Sequence, residues 1–507
     1  MNGPGDILRS AAARFGSKAA LVTSSRTLGF DELDALSDRV AAWLVARGVR
    51  PGQPVSLYAQ NRWEWVVTYH GALKAGAVAN PVNVMLTPEE LAFVLRDCGA
   101  AAVFTSAEQA TAVAELTHEL AELDTVVAFG EAEGAFTFAD VLACTDPVPD
   151  VEVDPDAPST IGYTSGTTGH PKGAVQSHRA VLWNCASTAT MHGRTAGDVV
   201  VTALPAPHVY GNVVLNGTFM VGGTVVLMER FDPVETVRLI GAHRATMFEG
   251  VPAMYAMLLA DPALADADLS SLTRCTVGGQ TIATSTIERW TRCSGAPLIE
   301  LWGMTEIAGL GTTHPAHLPP VPGSIGVSLP GVGIRIADLE DVRRDTAPGV
   351  PGELMVRGPV MMLGYHGNPA ATAETIEPDG WMHTGDIATM DAHGYVFVID
   401  RRKDMIITGG YNIYPAEVER VLASHPAVAV VAVGPVPDPV KGEVACAYVV
   451  RAGGTDAAQA TEAELIEFSA GHLAAYKRPR LVRFVDDLPK TSTGKLMRRE
   501  LIKQFDG

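Results

Sequence analysis

Short β-rich apolar runs alternate with amphipathic helical stretches along most of this chain, and that alternation leaves few architectures open. The runs "AALVTS", "PVSLYAQ", "AAAVFTS", "DTVVAFG", "DVVVTALP", "GTVVLM" and "RATMFEGVP" read as strands. Between them lie stretches such as "TPEELAFVLRDCG", where Thr87 precedes Glu89 and Glu90 as the cap of a predicted helix. Strand–helix alternation of this kind predicts α/β layers with largely parallel sheets. At 507 residues the chain exceeds what one core supports, so two or more domains are expected. From Leu329 the texture changes to turns and short strands ("GVGIRIADLE", "GELMVRGPV", "GYVFVIDRRKD"), predicting a β-rich subdomain. After Asp400 a compact α+β pattern follows: helix "AEVERVLASH", strands "VAVVAVGPV" and "EVACAYVV", helix "EAELIEFSAGHLAAY". The expected boundary is the charged cluster from Asp400 through Asp404, giving domains 1–400 and 401–507.

Composition excludes several classes. No apolar run approaches the roughly 20 residues of a membrane helix, and the start shows neither basic flank nor apolar stretch, so no transmembrane segment or signal peptide is expected. The six cysteines are scattered without paired spacing, which fits reduced thiols in a cytoplasmic protein. With 38 basic and 57 acidic residues the net charge is −19, which disfavours nucleic acid as a partner. From Arg401 onward there are 15 basic and 13 acidic residues, leaving 23 against 44 in the first 400. A slightly basic tail on an acidic body fits a separate domain that meets an anionic ligand, and equally fits ordinary variation between domains.

The stretch "YTSGTTGHPKGA", residues 163–174, joins a predicted strand ("STIGYT") to a predicted helix ("SHRAVLWNCAS"). Clusters of Ser, Thr and Gly also make ordinary loops. As a binding element, its backbone N–H groups and hydroxyls would wrap polyphosphate oxygens with Lys172 as a point charge, and glycine would let the backbone approach. It does not fit the Gly-x-x-x-x-Gly-Lys-Ser/Thr loop, because Lys172 follows a proline and precedes a glycine.

Its order closely resembles the signature of the adenylate-forming superfamily: acyl-CoA synthetases, adenylation domains and luciferases. The resemblance continues through "LPAPHVYG" (204–211), "GGQTI" (278–282), "LWGMTE" (301–306), the long stretch 380–419 and "LPKTSTGKLMRREL" (488–501). It implies a large domain of two α/β subdomains plus a β-rich subdomain, and a small mobile α+β domain turning on a hinge near Asp400–Lys403, with Lys403 as pivot. It further implies that Thr164, Ser165, Gly166, Thr167, Thr168, Gly169 and Lys172 hold the phosphates of ATP. Gly279, Gln280, Trp302, Gly303 and Met304 would lie along the adenine, with Trp302 standing where tyrosine is usual. Thr305 would meet the α-phosphate. Glu306 would ligate Mg²⁺, a hard cation suited to carboxylate and phosphate oxygens. Asp386 and Arg401 would hold the ribose. Lys495 would bridge the incoming carboxylate and the α-phosphate, and Gly409, Gly410 and Tyr411 would line a pantetheine channel. Taken alone, Glu306 also reads as a solvated loop carboxylate, Trp302 as a core aromatic and the Asp400 cluster as structural salt bridges.

The activity implied is an ATP-dependent acyl-CoA synthetase that forms an acyl-adenylate, releases pyrophosphate and passes the acyl group to coenzyme A. The run "TMFEGVPAMYAMLL" (246–259) resembles fatty-acid–CoA ligases, so a medium- or long-chain fatty acid is expected in a pocket of His208, Val209, Phe248, Glu249 and Gly250. In Glu249 a polar tail on the acid competes with a salt-bridged role. Ala206-Pro207-His208 stands where amino-acid-activating relatives place an aspartate, which disfavours an α-amino acid. The alternatives are transfer to the phosphopantetheine of an acyl carrier protein, an aryl acid–CoA ligase, a luciferase-like oxygenase and a nucleotide-binding protein without turnover. A homodimer is a further expectation.

Overall fold

A computed structural model describes the chain except residues 121, 165–170, 454–459, 490–497 and 506–507, with the side chains of 499, 500, 502 and 503 also undescribed. Contacts divide it into two compact units. Met1–Ile334 with Val356–Met382 form the first, and Arg335–Met355 with His383–Gly507 the second. The boundary expected at Asp400 stands as a proposed hinge and lies within the second unit.

The first unit holds two sheets. One has nine strands, and its central six (Leu298–Met304, Arg274–Val277, Met247–Gly250, Val199–Thr202, Thr224–Leu227, Ala19–Val22) run parallel in that order. The other has eight strands and is parallel from Pro158–Thr164 through Val78–Pro81, Pro54–Tyr58, Ala102–Ser106 and Thr125–Phe129 to Phe136–Thr137. Most residues of these strands are buried, as in parallel sheets covered by helices on both faces. The nine-stranded sheet shows the consequence of the two-residue period. Val201, Phe248, Cys275 and Leu298 are neighbours in register and share one apolar cluster with Tyr255 and Trp290. One residue on, Thr202, Glu249 and Thr276 form a polar row on the opposite face. The expected helix after Thr87 is Pro88–Cys98, closed by a reciprocal cap in which Thr87 Oγ1 accepts from Glu90 N and the Glu90 carboxylate accepts from Thr87 N.

The second unit contains most of a four-stranded sheet (Gly333–Ala337, Gly352–Arg357, Met382–Met390, Val396–Arg401). It also holds a separate five-stranded sheet in which the long hairpin Val428–Asp438 and Gly442–Arg451 is flanked by Leu481–Phe484 and by Ile406–Thr408 with Tyr411–Ile413. Helices Pro415–Leu422 and Glu462–Ala470 pack on it through Val418, Leu422 and Leu465. No helix among the described residues is long and apolar enough to cross a membrane.

Candidate active site

In the first unit the site begins where a hairpin meets a second, tighter one. Strands Pro158–Thr164 and Lys172–Ser177 pair antiparallel with Thr164 opposite Lys172, so these two residues form the neck of the loop between them. Ser165, Gly166, Thr167, Thr168 and Gly169 lie outside the described residues. Strand Leu298–Met304 turns back through Thr305–Ile307 into Gly309–Thr313, which places Thr305 and Glu306 at its tip. Three features make that turn tight. A Cβ on Gly303 would stand 1.9 Å from the Gly309 carbonyl oxygen, so only glycine fits there. Ala308 holds φ +54, a left-handed conformation that costs a non-glycine residue about 1–2 kcal/mol. Gln176 Nε2 donates to Thr305 O at 2.8 Å, and a Cβ on Gly162 would lie 2.7 Å from the Thr305 methyl.

Trp302 is 8 % exposed, and its ring covers Gly311 so closely that a Cβ there would be 2.5 Å away. Glu306 is equally buried, and its Oε1 accepts from the Tyr365 hydroxyl at 2.9 Å. The Lys172 ammonium stands over the ring of that same tyrosine, 5.2 Å from its centroid. Burial and the neighbouring Glu306 carboxylate push the Tyr365 phenol's pKa up, keeping it a neutral donor at ordinary pH. The donor chemistry at Glu306 fits Mg²⁺, which takes one or two protein carboxylates and completes its shell with phosphates and water. No cluster of three or more His, Cys, Asp or Glu suited to a metal occurs among the described residues.

The carboxyl ends of the parallel strands, where α/β proteins bind ligands, carry the remaining first-unit residues. Gly279 (φ +87) and Gln280 are exposed just past Arg274–Val277. His208 is exposed and caps helix Val209–Val221, its Nδ1 accepting from Tyr210 N at 3.3 Å. Phe248, expected in the acid pocket, instead packs edge-on against Tyr255 in the helix-covered core. Glu249 is fully buried and ion-paired with Arg194 at 2.6 Å, while its other oxygen accepts from Thr276 Oγ1 at 2.8 Å. Tyr210 and Thr276 share a hydrogen bond of 2.6 Å, so a polar chain runs from the His208 turn to Arg194. Among the described residues, sequence reasoning missed Gln176, Arg194, Tyr210, Thr276 and Tyr365. Tyr210 sat inside a quoted motif; the others have no local spacing that signals them.

In the second unit Asp386 and Arg401 are register partners on adjacent antiparallel strands, with Arg401 Nε 2.8 Å from Asp386 Oδ1. Asp400 is buried and accepts from Ala416 N at 2.6 Å, holding the start of helix Pro415–Leu422. Arg402 pairs with Glu353, which also meets His383 Nδ1 at 3.1 Å. Lys403 is exposed in the turn Arg402–Asp404. Gly409 (φ +56) and Gly410 (φ +85) form the two-residue turn of the hairpin joining Ile406–Thr408 to Tyr411–Ile413. A Cβ on either would meet nothing within 4 Å, so the backbone twist of the turn, not crowding, calls for glycine. Tyr411 is 59 % exposed and stacks on Tyr476 at 4.9 Å. Lys495 lies outside the described residues.

Residues 8–366 match the model of the AMP-binding enzyme family, and 417–495 match that of the AMP-binding enzyme C-terminal domain. A feruloyl-CoA synthase from an Amycolatopsis species is 38 % identical over 97 % of both chains. The long-chain-fatty-acid–CoA ligase of Bacillus subtilis strain 168 is 33 % identical over 98 % of this chain and 94 % of its own. Among solved structures, ATP-bound MatB from Rhodopseudomonas palustris superimposes with a TM-score of 0.90 at 31 % identity, covering 99 % of each chain. The chain belongs to the AMP-binding enzyme family, the adenylate-forming superfamily that includes acyl-CoA synthetases.

Proposed function

We propose that the chain is an AMP-forming acid–thiol ligase that activates an aryl carboxylic acid with ATP and transfers the acyl group to coenzyme A. The observation that carries this reading is the meeting of Lys172, Glu306 and Tyr365, drawn from three distant segments to the neck of the Ser/Thr/Gly-rich loop. A cation for phosphate oxygens beside a carboxylate for a metal is what activation of an acid on a triphosphate needs.

A carboxylate oxygen attacks the α-phosphorus, the bond to pyrophosphate breaks, and a mixed anhydride forms. Catalysis here is positioning plus charge neutralisation. Lys172 and the loop hydroxyls hold the phosphates, Thr305 orients the α-phosphate, and Glu306 would ligate Mg²⁺, which when bound neutralises phosphate charge. Trp302, Gly303, Met304, Gly279 and Gln280 line the base, and Asp386 with Arg401 takes the ribose. Lys495 bridges the two reacting anions. In the second step the CoA sulfur attacks the acyl carbonyl carbon and the bond to AMP breaks, with Gly409, Gly410 and Tyr411 along the pantetheine arm and Lys403 as the pivot between steps. A cytoplasmic location fits these substrates.

An aryl acid is favoured by the feruloyl-CoA synthase relative, which is 38 % identical over 97 % of both chains. A fatty acid is the second reading, supported by the Bacillus subtilis relative and by the apolar run after Gly250. A panel of aryl and fatty acids assayed for pyrophosphate release, then for AMP release with CoA or a holo carrier protein, separates the readings. Hydroxylated aryl acids releasing pyrophosphate, then AMP with CoA, is the expected result. Silence with every acid overturns the ligase reading, a response to fatty acids alone overturns the aryl class, and AMP release only with the carrier overturns CoA as acceptor.

A further inference from the structure

Tyr365 has no place in the sequence pattern that pointed to this site, yet it touches both of the site's opposite charges. Its hydroxyl donates to Glu306 Oε1 at 2.9 Å, and the Lys172 ammonium lies 5.2 Å from its ring centroid. The residue is half-buried and its backbone is fastened on every side. Strand Gly364–Tyr365 pairs antiparallel with Lys172–Ser177, placing Tyr365 opposite Ala174. On that strand's flanks, Leu363 N donates to Val175 O at 2.8 Å and His366 N to Gly173 O at 2.7 Å. Met362 N donates to Glu306 O at 2.7 Å, and Tyr365 N to Thr372 Oγ1 at 2.9 Å. One short segment therefore staples the lysine-bearing strand to the backbone of Glu306, and its tyrosine repeats the link through side chains.

A direct lysine–carboxylate pair would neutralise both groups and draw them away from a ligand. A phenol holds each by a different part of itself. Its hydroxyl donates to the carboxylate, and its negative π face attracts the ammonium, so both charges stay whole and are set at a fixed separation. We propose that Tyr365 is a positioning residue that presets Glu306 for the divalent cation and Lys172 for the phosphates. The proposal rests on the ligase reading above, in which those two residues meet metal and triphosphate.

The test uses the full-length protein with Mn²⁺ as the metal probe, followed by electron paramagnetic resonance, and with ATP binding measured by calorimetry in the presence and absence of divalent cation. In Tyr365→Phe the ring remains and the hydroxyl is lost. Mn²⁺ affinity of the ATP complex should fall about tenfold, the size expected for one hydrogen bond to a charged group, with metal-free ATP binding unchanged. Tyr365→Leu removes the ring as well and should also weaken metal-free ATP binding, by about threefold or more. In a Glu306→Gln background, Tyr365→Phe should have no further effect on Mn²⁺ affinity, because the coupled partner is already gone. Thermal melting of each variant identifies any that fail to fold, and the conservative Tyr365→Phe change carries the test. Unchanged Mn²⁺ affinity in Tyr365→Phe would overturn the proposal, as would an equal loss of metal-free ATP binding or full additivity with Glu306→Gln. A parent protein that binds no ATP would instead overturn the ligase reading itself.

Discussion

In the first unit Trp302 and Glu306 are each 8 % exposed, Gly303 is walled in by the Gly309 carbonyl, and Thr305 is held by Gln176 and by the close approach of Gly162. In the second unit Arg401, Lys403, Gly409, Gly410 and Tyr411 stand at the surface, and a Cβ added to either glycine would meet nothing within 4 Å. Asp386 is the exception, buried beneath its pair with Arg401. The contrast is between groups fixed by packing before any ligand arrives and groups whose surroundings are left to solvent. The first arrangement suits charge stabilisation, which works best when dipoles and charges need no reorganisation. The second suits residues that change partners between two steps. Substitutions in the first unit should therefore strike ATP activation together with stability, and those in the second should separate the half-reactions.

The largest effect is expected at Lys495. One charge contact at about 4 Å with an effective dielectric near 20 is worth about 4 kcal/mol, or roughly a thousandfold in rate. Lys495→Ala should lose adenylate formation by that factor and keep thioester formation from supplied acyl-adenylate and CoA; equal loss of both would break the separation. A smaller effect is expected in the two-glycine turn. Replacing Gly409 and Gly410 together by alanine forces two left-handed residues at roughly 1–2 kcal/mol each. Acyl transfer to CoA should slow about tenfold while pyrophosphate release stays at the parental rate. A matching loss of pyrophosphate release would show that the turn serves both steps.

The smallest effect concerns stability. Glu300, on the strand that leads to Trp302, is buried with its Oε2 accepting from Gly323 N at 2.7 Å. Burial outweighs that hydrogen bond and pushes its pKa up to about 7 from an ordinary 4.5. The folded state therefore holds the proton more tightly than the unfolded one, so Glu300's stabilising contribution is complete below pH 4.5 and is lost as pH rises through about 7. Denaturant unfolding should show the parent losing roughly 1–3 kcal/mol relative to Glu300→Gln between those values. An unchanged slope in the variant would remove Glu300 as the source of that loss.

Much of this was legible in the sequence where the signal is local. The Thr87 cap, the strand up to Thr164 and the helix after Ser177 each follow from neighbouring residues, whereas the strand Lys172–Ser177 that pairs back on Pro158–Thr164 was not expected between loop and helix. Glu249 was a conspicuous acid in an apolar run, and its salt-bridged role was weighed, but its partner Arg194 lies on a different segment and carries no mark of the pairing. Phe248 was expected beside the acid because its run resembles that of fatty-acid–CoA ligases. The two-residue period of its strand turns it into the apolar cluster of Tyr255 and Trp290 and Glu249 to the opposite face. Tyr365 reaches Glu306 across 59 residues and Ala174 by strand register, and neither relation leaves a periodic trace.

The central claim is that the packed residues of the first unit, with Lys495, activate an acid on ATP before any thiol is involved. Exchange of labelled pyrophosphate into ATP, measured with a hydroxylated aryl acid and no CoA, tests it directly. The account predicts exchange that depends on both the acid and a divalent cation and that disappears in Lys495→Ala. Exchange that requires CoA, or that persists undiminished in Lys495→Ala, would contradict it.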